Sequence, residues 1–490
     1  MSEKINKVKS RIIMPLFIFV TFIFSLPSII YIIQNKTIYK FYYVWTYFLK
    51  RPLTQTDKYI NAAMFFIIFS ALFILYFAII KKNRKIFKNT KQILILILVV
   101  SLLFLVIIPY TSTDVYSYIA NGWSAAHYHE NPYYMSTGEI ADQNGITDPM
   151  LNKVANCWRY ETVVYGPLWT LICTALSALS FGSIDIALLI FKLANLVVHM
   201  INCLLIHKIT KKNLFVILYG LSPFILFEAL SNVHNDIFIV LFILLAIYFV
   251  TKKKNLFLAV ACIAMATAIK YLAILILPFI IIYAVKDKEI KERIKCLIYC
   301  GIEYIAIIVL FYLIYLQDLN VLEGLLIQQA KYNRSVFYLL YEILGKNEGC
   351  IKILQNIALA LFAAYYMYIV VRLLFSKEIK WRPIIQQYHM ILMIFTFILI
   401  TNFNPWYIMW FFPTIFFLKG KSVKNILHLS YAGQIANLAS FALWSEEQIL
   451  GIPYFIIMIT TTVILNMIFN KTNWKIDQHL KKQQLEGVKK

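Results

Sequence analysis

Asp114 stands where an apolar run ending at Ile108 gives way to a polar, aromatic stretch, TSTDVYSYIANGWSAAHYHENPYYM (111–135). An acid at the lip of a membrane helix is costly unless it lines a wet cavity or has a partner, which makes it a candidate for function. If the stretch is helical, Asp114, Ser117, Tyr118 and Asn121 share one polar face at i, i+3, i+4 and i+7. A plainer reading makes Asp114 a helix cap beside Thr113. Asn131-Pro132 closes the segment, because the residue before a proline avoids the helical region.

Four further clusters carry groups that a greasy scaffold does not need. Arg159 and Glu161 precede Tyr165-Gly166-Pro167-Leu168-Trp169, where the proline suits a helix start. Ser231-Asn232-Val233-His234-Asn235-Asp236 lies between two apolar runs. His234 and Asp236 there could bind a sugar, a phosphate or a divalent cation, while Asn232 or Asn235 could simply cap the next helix. Two ligands are too few for a metal claim, so any metal site is unknown and a divalent cation remains only a candidate cofactor. Lys270 separates two apolar runs and would either meet an anion or snorkel to headgroups. With Arg159, Lys331 and Arg334 it could clamp a phosphate or diphosphate. Asn402-Phe403-Asn404-Pro405-Trp406-Tyr407 opens another run, and its aromatic rings suit either a membrane belt or a sugar-stacking platform.

These clusters need a scaffold, and composition says which kind. The 490 residues are 61% hydrophobic and only 14% charged, with a mean hydropathy of +0.71. That is an all-α polytopic membrane protein. The net charge of +23 does not indicate nucleic acid, because the Lys and Arg fall in short clusters between apolar runs, as in cytoplasmic loops. About fourteen transmembrane helices are expected: 12–34, 59–80, 92–110, 184–206, 213–231, 234–251, 255–269, 271–285, 296–316, 351–374, 383–401, 405–419, 424–444 and 452–469. The first of these resembles a signal peptide but is long enough to span and lacks a small-residue cleavage site.

With these spans both termini are cytoplasmic and seven basic clusters share that side: 81–91, 207–212, 251–255, 286–295, 377–382, 419–424 and the C-terminal tail. The count holds only if GPLWTLICTALSALSFG (166–182) lies along or dips into the outer leaflet rather than crossing. The loop 35–58, with Lys36, Lys40, Lys50 and Arg51, falls outside and is the awkward one; the acidic patch at 445–448 also falls outside. The expected parts are 1–110, three spans; 111–183, an outer loop with juxtamembrane helices; 184–316, a membrane core; 317–350, a second outer loop; 351–469, the last spans; and 470–490, a basic tail. Of the seven cysteines, Cys173, Cys203, Cys262, Cys296 and Cys300 are expected to be packing residues, whereas Cys157 and Cys350 share a side and could pair.

The ordered set D-x-Y-x-Y at Asp114, N-P-Y at Asn131, Y-G-P-L-W at Tyr165, H-N-D at His234, the lysine at 270 and N-P-W-Y at Asn404 resembles the GT-C fold of integral-membrane glycosyltransferases. The likeness is nearest to polyprenyl-phosphate-mannose-dependent mannosyltransferases and runs from about residue 100 to about residue 415. It implies a polyprenyl-phosphate-linked sugar donor, a glycan or lipid acceptor in the bilayer, and inverting transfer of a mannose-like hexose at the extracytoplasmic face. Asp114 would correspond to the family's catalytic acid and serve as general base. Lys270, Arg334 and Arg159 would steady the leaving phosphate. Tyr118, Asn121, Glu161, Tyr165, His234, Asn235, Asp236, Asn404 and Trp406 would complete the substrate site. The juxtamembrane helix implied at Tyr165–Trp169 agrees with the topology argument above. The competing reading is a transporter or flippase of a lipid-linked saccharide, but such proteins set their polar groups on broken helices near the midplane, often with internal repeats.

Overall fold

Within a bilayer every backbone polar group must be satisfied internally, so long apolar runs fold as helices. The computed structural model describes residues 2–34, 54–87, 89–145, 147–329, 334–443 and 451–470, and all their regular structure is helical. Lys36, Lys40, Lys50, Arg51, Lys331, Tyr332, Asn333, the acidic patch at 445–448 and the basic tail lie outside the described residues.

Five described helices are long and apolar enough to cross a membrane: Ile12–Ile33, Gln55–Asn83, Ile184–Thr210, Ile290–Tyr312 and Glu348–Leu374. The pair Asn213–Gly220 and Pro223–Ser231, bent by 46°, makes a sixth if counted as one span. This is fewer than about fourteen, and the difference has a local cause. Several expected spans are interrupted. The runs 255–269 and 271–285 appear as a 12-residue helix, Leu256–Thr267, then a 3-10 segment, Tyr271–Ile276, leading into Leu277–Ala284. The run 405–419 is two 3-10 pieces, Pro405–Phe411 and Ile415–Phe417. A seven-residue 3-10 helix rises about 14 Å, half the roughly 30 Å of hydrocarbon that a span must cross.

The chain forms two compact units. One comprises Met1–Thr111, Thr210–Asn232 and Thr414–Lys490; the other comprises Ser112–Ile209 and Val233–Pro413. The first unit is built on an aromatic cluster. Phe65 contacts Phe24, Phe69, Tyr110 and Phe227 with ring centroids 5.0–5.6 Å apart. Lipid tails are as apolar as these rings, so the gain is close packing rather than escape from water.

The second unit holds every candidate site residue. Its Asp114–His127 helix packs on Pro167–Ala178 so closely that a Cβ on Gly122 would lie 2.2 Å from the Cys173 carbonyl oxygen. Ser177 Oγ donates to the Ile119 carbonyl at 3.0 Å across the same seam. Pro167–Ala178 has 12 residues, about 18 Å of rise, which is too short to cross a bilayer. Its start is pinned to another segment: the Gly166 amide donates to the Ile269 carbonyl at 3.0 Å and the Leu168 amide to that of Ala268 at 2.9 Å. A Cβ on Gly166 would lie 2.4 Å from the Ala268 oxygen, so only glycine permits this approach. The consequence reaches the site, because it seats Tyr165 beside Lys270.

Cys157 and Cys350 are both exposed and form no disulfide. Cys173, Cys203, Cys262 and Cys300 are buried as packing residues, and Cys296 is half-buried.

Candidate active site

Asp114 is the first residue of its helix, one position inside Thr113, which makes no side-chain cap. It is therefore not the capping residue. Its amide donates to Ser112 Oγ at 3.3 Å, and its carboxylate lies 3.7 Å from His234 Nδ1. The Asp114 side chain is 19% exposed, whereas His234 is fully buried.

His234 is held from three directions. Its ring stacks on Trp406, centroids 3.9 Å apart and planes 17° off parallel. Its carbonyl accepts from Asn195 Nδ2 at 3.3 Å. Just before it, Val233 has φ 62°, a left-handed conformation that costs a β-branched residue on the order of 1–3 kcal/mol. Such strain persists only where surrounding contacts enforce it, and here it turns the chain sharply between Asn232 and His234.

Neither asparagine of this stretch caps by its side chain as one reading of the sequence supposed. Asn232 instead accepts from the Tyr110 amide and gives its Nδ2 to Thr111 Oγ1 and Glu228. Asn235 is fully buried, yet neither its amide nitrogen nor its amide oxygen has a protein hydrogen-bond partner. A buried amide left open in this way costs stability and calls for a ligand or water.

Asp236 begins the helix Asp236–Tyr248 and is completely buried. Both its oxygens accept from Lys270 Nζ, at 2.8 and 2.9 Å, and Oδ1 also accepts from Trp410 Nε1. Lys270 thus meets an anion from its own unit rather than reaching for headgroups. Three rings surround its ammonium: Tyr407 at 4.9 Å, Trp410 at 5.6 Å and Tyr165 at 5.8 Å to the centroids. Tyr407 and Trp410 stack with centroids 4.3 Å apart because residues three apart eclipse on a 3-10 helix.

The polar face foreseen on the Asp114 helix is partly sealed. Tyr118 is buried, edge-on to Tyr165 at 5.2 Å and to Trp169 at 5.1 Å. Burial, then the neighbouring Tyr165 and Asp114, raises the Tyr118 phenol well above its usual pKa; burial and Asp114 do the same to Tyr165. Both therefore keep their protons. Asn121 is half-buried two turns along, roughly 10 Å up the helix from Asp114.

Arg334 is buried, takes a left-handed φ of 48°, and donates from Nη1 to Asn404 Oδ1 at 3.3 Å. Asn404 in turn donates to the Tyr407 hydroxyl at 3.4 Å, which links Arg334 to the ring cage around Lys270. Arg159 goes elsewhere. It lies 3.9 Å from Asp142 and against the Tyr160 ring, within its own loop, with half-buried Glu161 following.

Two residues escaped the sequence reading. Trp410 binds Asp236, and Asn195 braces the His234 carbonyl. The only sequence signal for Trp410 was the density of rings in Trp406-Tyr407-Ile408-Met409-Trp410. Among the described residues no three His, Cys, Asp or Glu side chains come together as a metal cage.

Comparison with protein families gives one result. Residues 44–286, about half of the chain, match the model described as alpha-(1->6)-mannopyranosyltransferase, N-terminal domain. The matched stretch includes Asp114, Arg159, Tyr165, His234, Asp236 and Lys270, and ends before Arg334 and Asn404. No curated protein and no solved structure matches.

Proposed function

Because the chain belongs to the alpha-(1->6)-mannopyranosyltransferase family through that domain, and is a membrane glycosyltransferase, we propose that it moves mannose from a polyprenyl-phosphate donor to an acceptor hydroxyl at the extracytoplasmic face, inverting the anomeric centre, with Asp114 as general base. The observation that carries the reading is the contrast between the two acids of the site. Asp236 is saturated by Lys270 and Trp410, whereas Asp114 keeps an accessible carboxylate beside His234. A base must reach the proton it takes, and only Asp114 is open to do so.

The steps follow from the groups present. Asp114 takes the proton from the acceptor hydroxyl as its oxygen attacks the anomeric carbon and the bond to the donor phosphate breaks. The phosphate leaves as an anion with a second pKa of about 6, so the leaving group needs charge stabilisation more than a proton. Arg334, buried beside Asn404, offers it, with Lys270 as a second cation already half-committed to Asp236. Arg159, beside Asp142, is the weakest of the three nominees. His234, clamped on Trp406, orients the base, and the open amide of Asn235 pairs with a sugar hydroxyl. Tyr118 and Tyr165 donate from protonated phenols. An inverting enzyme that builds an alpha linkage must consume a beta-linked donor.

The test is transfer of radiolabelled mannose by the purified protein from polyprenyl-phosphate donors of both anomers. Turnover of the beta donor, with an alpha-linked product, is expected. Saturable binding or flipping of a lipid-linked saccharide without transfer would return the transporter reading.

A further inference from the structure

The membrane helix Ile184–Thr210 carries Lys192, Asn195, His199 and Asn202, all buried, at spacings of three, four and three residues. On an α-helix these positions share one face. Polar side chains on a membrane span are costly, so such a face turns into the protein. Two of the four reach the segment that begins at His234. Asn195 Nδ2 donates to the His234 carbonyl at 3.3 Å, and Asn202 Nδ2 donates to the Ile237 carbonyl at 3.2 Å.

The two bonds are alike in chemistry and differ in what they hold. Ile237 lies inside the helix Asp236–Tyr248, where regular geometry brings its carbonyl an amide from four residues on. His234 lies before that helix. The Phe238 amide, which would close on His234 in a regular α-turn, donates to the Asn235 carbonyl at 3.0 Å instead. The His234 carbonyl is met from another helix, by Asn195. This bond falls one residue after Val233, whose φ of 62° stores strain that relaxes unless neighbours hold it. Trp406 holds the His234 ring from one side and Asn195 holds its backbone from another. Between them they set where Nδ1 stands, 3.7 Å from the Asp114 carboxylate.

We propose that Asn195 is a positioning residue for sugar transfer, acting through His234 rather than on substrate: it keeps the imidazole beside Asp114, and so keeps the base in line with the acceptor hydroxyl. The inference rests on the reading of Asp114 as general base. A base works only within hydrogen-bond reach of the proton it takes. A displacement of about 1 Å, even one caused from outside the reacting groups, costs on the order of 10²-fold in rate. Asn202, seven residues along the same face, makes the same kind of bond to a residue that does not meet Asp114. It is the built-in control for a purely structural role.

The experiment sets Asn195→Leu beside Asn202→Leu in the full-length protein in detergent, reading Tm together with kcat and KM for transfer of radiolabelled mannose. Each variant removes one buried amide donor, so similar falls in Tm are expected. Asn195→Leu should also lower kcat by about 10- to 100-fold with KM unchanged. Asn202→Leu should keep kcat near that of the wild type. Asn195→Ala, too small to clash, takes the place of the leucine variant if that fails to fold. Asn195→Ser, which keeps a donor hydroxyl, should recover part of the lost kcat. Equal kcat in the Asn195 and Asn202 variants overturns the proposal. So does a raised KM at unchanged kcat, or a serine variant no better than alanine. No transfer by the wild type would overturn the transferase reading and this inference with it; wild-type transfer that Asn195→Leu leaves intact would overturn this inference alone.

Discussion

Asp114 and Asp236 are each the first residue of a helix, where the aligned peptide dipoles favour a negative charge. From there they diverge. Asp236 is sealed: Lys270 occupies both oxygens, Trp410 adds a donor, and three rings enclose the lysine. Asp114 faces a histidine across 3.7 Å and remains partly accessible. The same residue type at the same helical position is thus closed off by partners in one region and left partly open in the other. Tertiary partners make the difference: a carboxylate with its hydrogen bonds filled holds the fold, and one with an open side can take a proton.

Substitutions can break or sharpen that contrast. The largest expected effect on stability comes from Lys270→Met, which leaves Asp236 as a buried, unpaired charge and should cost about 3–5 kcal/mol. Thermal unfolding in detergent would register it, and adding Asp236→Asn to the same chain should restore part of the loss. Trp410→Phe keeps the ring and removes only the Nε1 donor, so a loss of about 1–3 kcal/mol is expected by the same assay. At the small end, Arg159→Ala breaks a pair whose Asp142 partner is mostly exposed; the expected change is about 0–1 kcal/mol with near-normal transfer kinetics. A large drop in turnover there would move Arg159 into the site and weaken the distinction drawn between it and Arg334.

How much of this could be read from the chain depends on the range of the interaction. The membrane class, the helical nature and the glycine-proline start at Gly166-Pro167 follow from composition and local stereochemistry, and they appear in the structure. Asp114 and His234 could be singled out as polar groups beside apolar runs, and they do meet. The Lys270–Asp236 pair could not be read, because 34 residues and a turn of chain separate two groups that each looked as though it awaited a ligand. Trp410, 174 residues from Asp236, looked like one more belt aromatic. Arg159 found Asp142 in its own loop. Five or six of the described helices are long and apolar enough to span, beside several shorter apolar ones, because an apolar run does not announce whether it will form an α-helix or a shorter 3-10 piece, as Pro405–Phe411 does. Tyr118, on the polar face at Asp114, is covered by the Tyr165 and Trp169 rings, a contact over 47 and 51 residues that local spacing does not announce.

The most direct test of the central claim sets Asp114→Asn beside Asp236→Asn, measuring mannose transfer from a beta-linked polyprenyl-phosphate donor and Tm on the same preparations. Loss of a general base costs on the order of 10²–10⁴ in rate. Asp114→Asn should therefore lose transfer by that factor with Tm unchanged, while Asp236→Asn should lower Tm. Near-normal turnover in Asp114→Asn, or a silent Tm with abolished turnover in Asp236→Asn, would contradict the assignment.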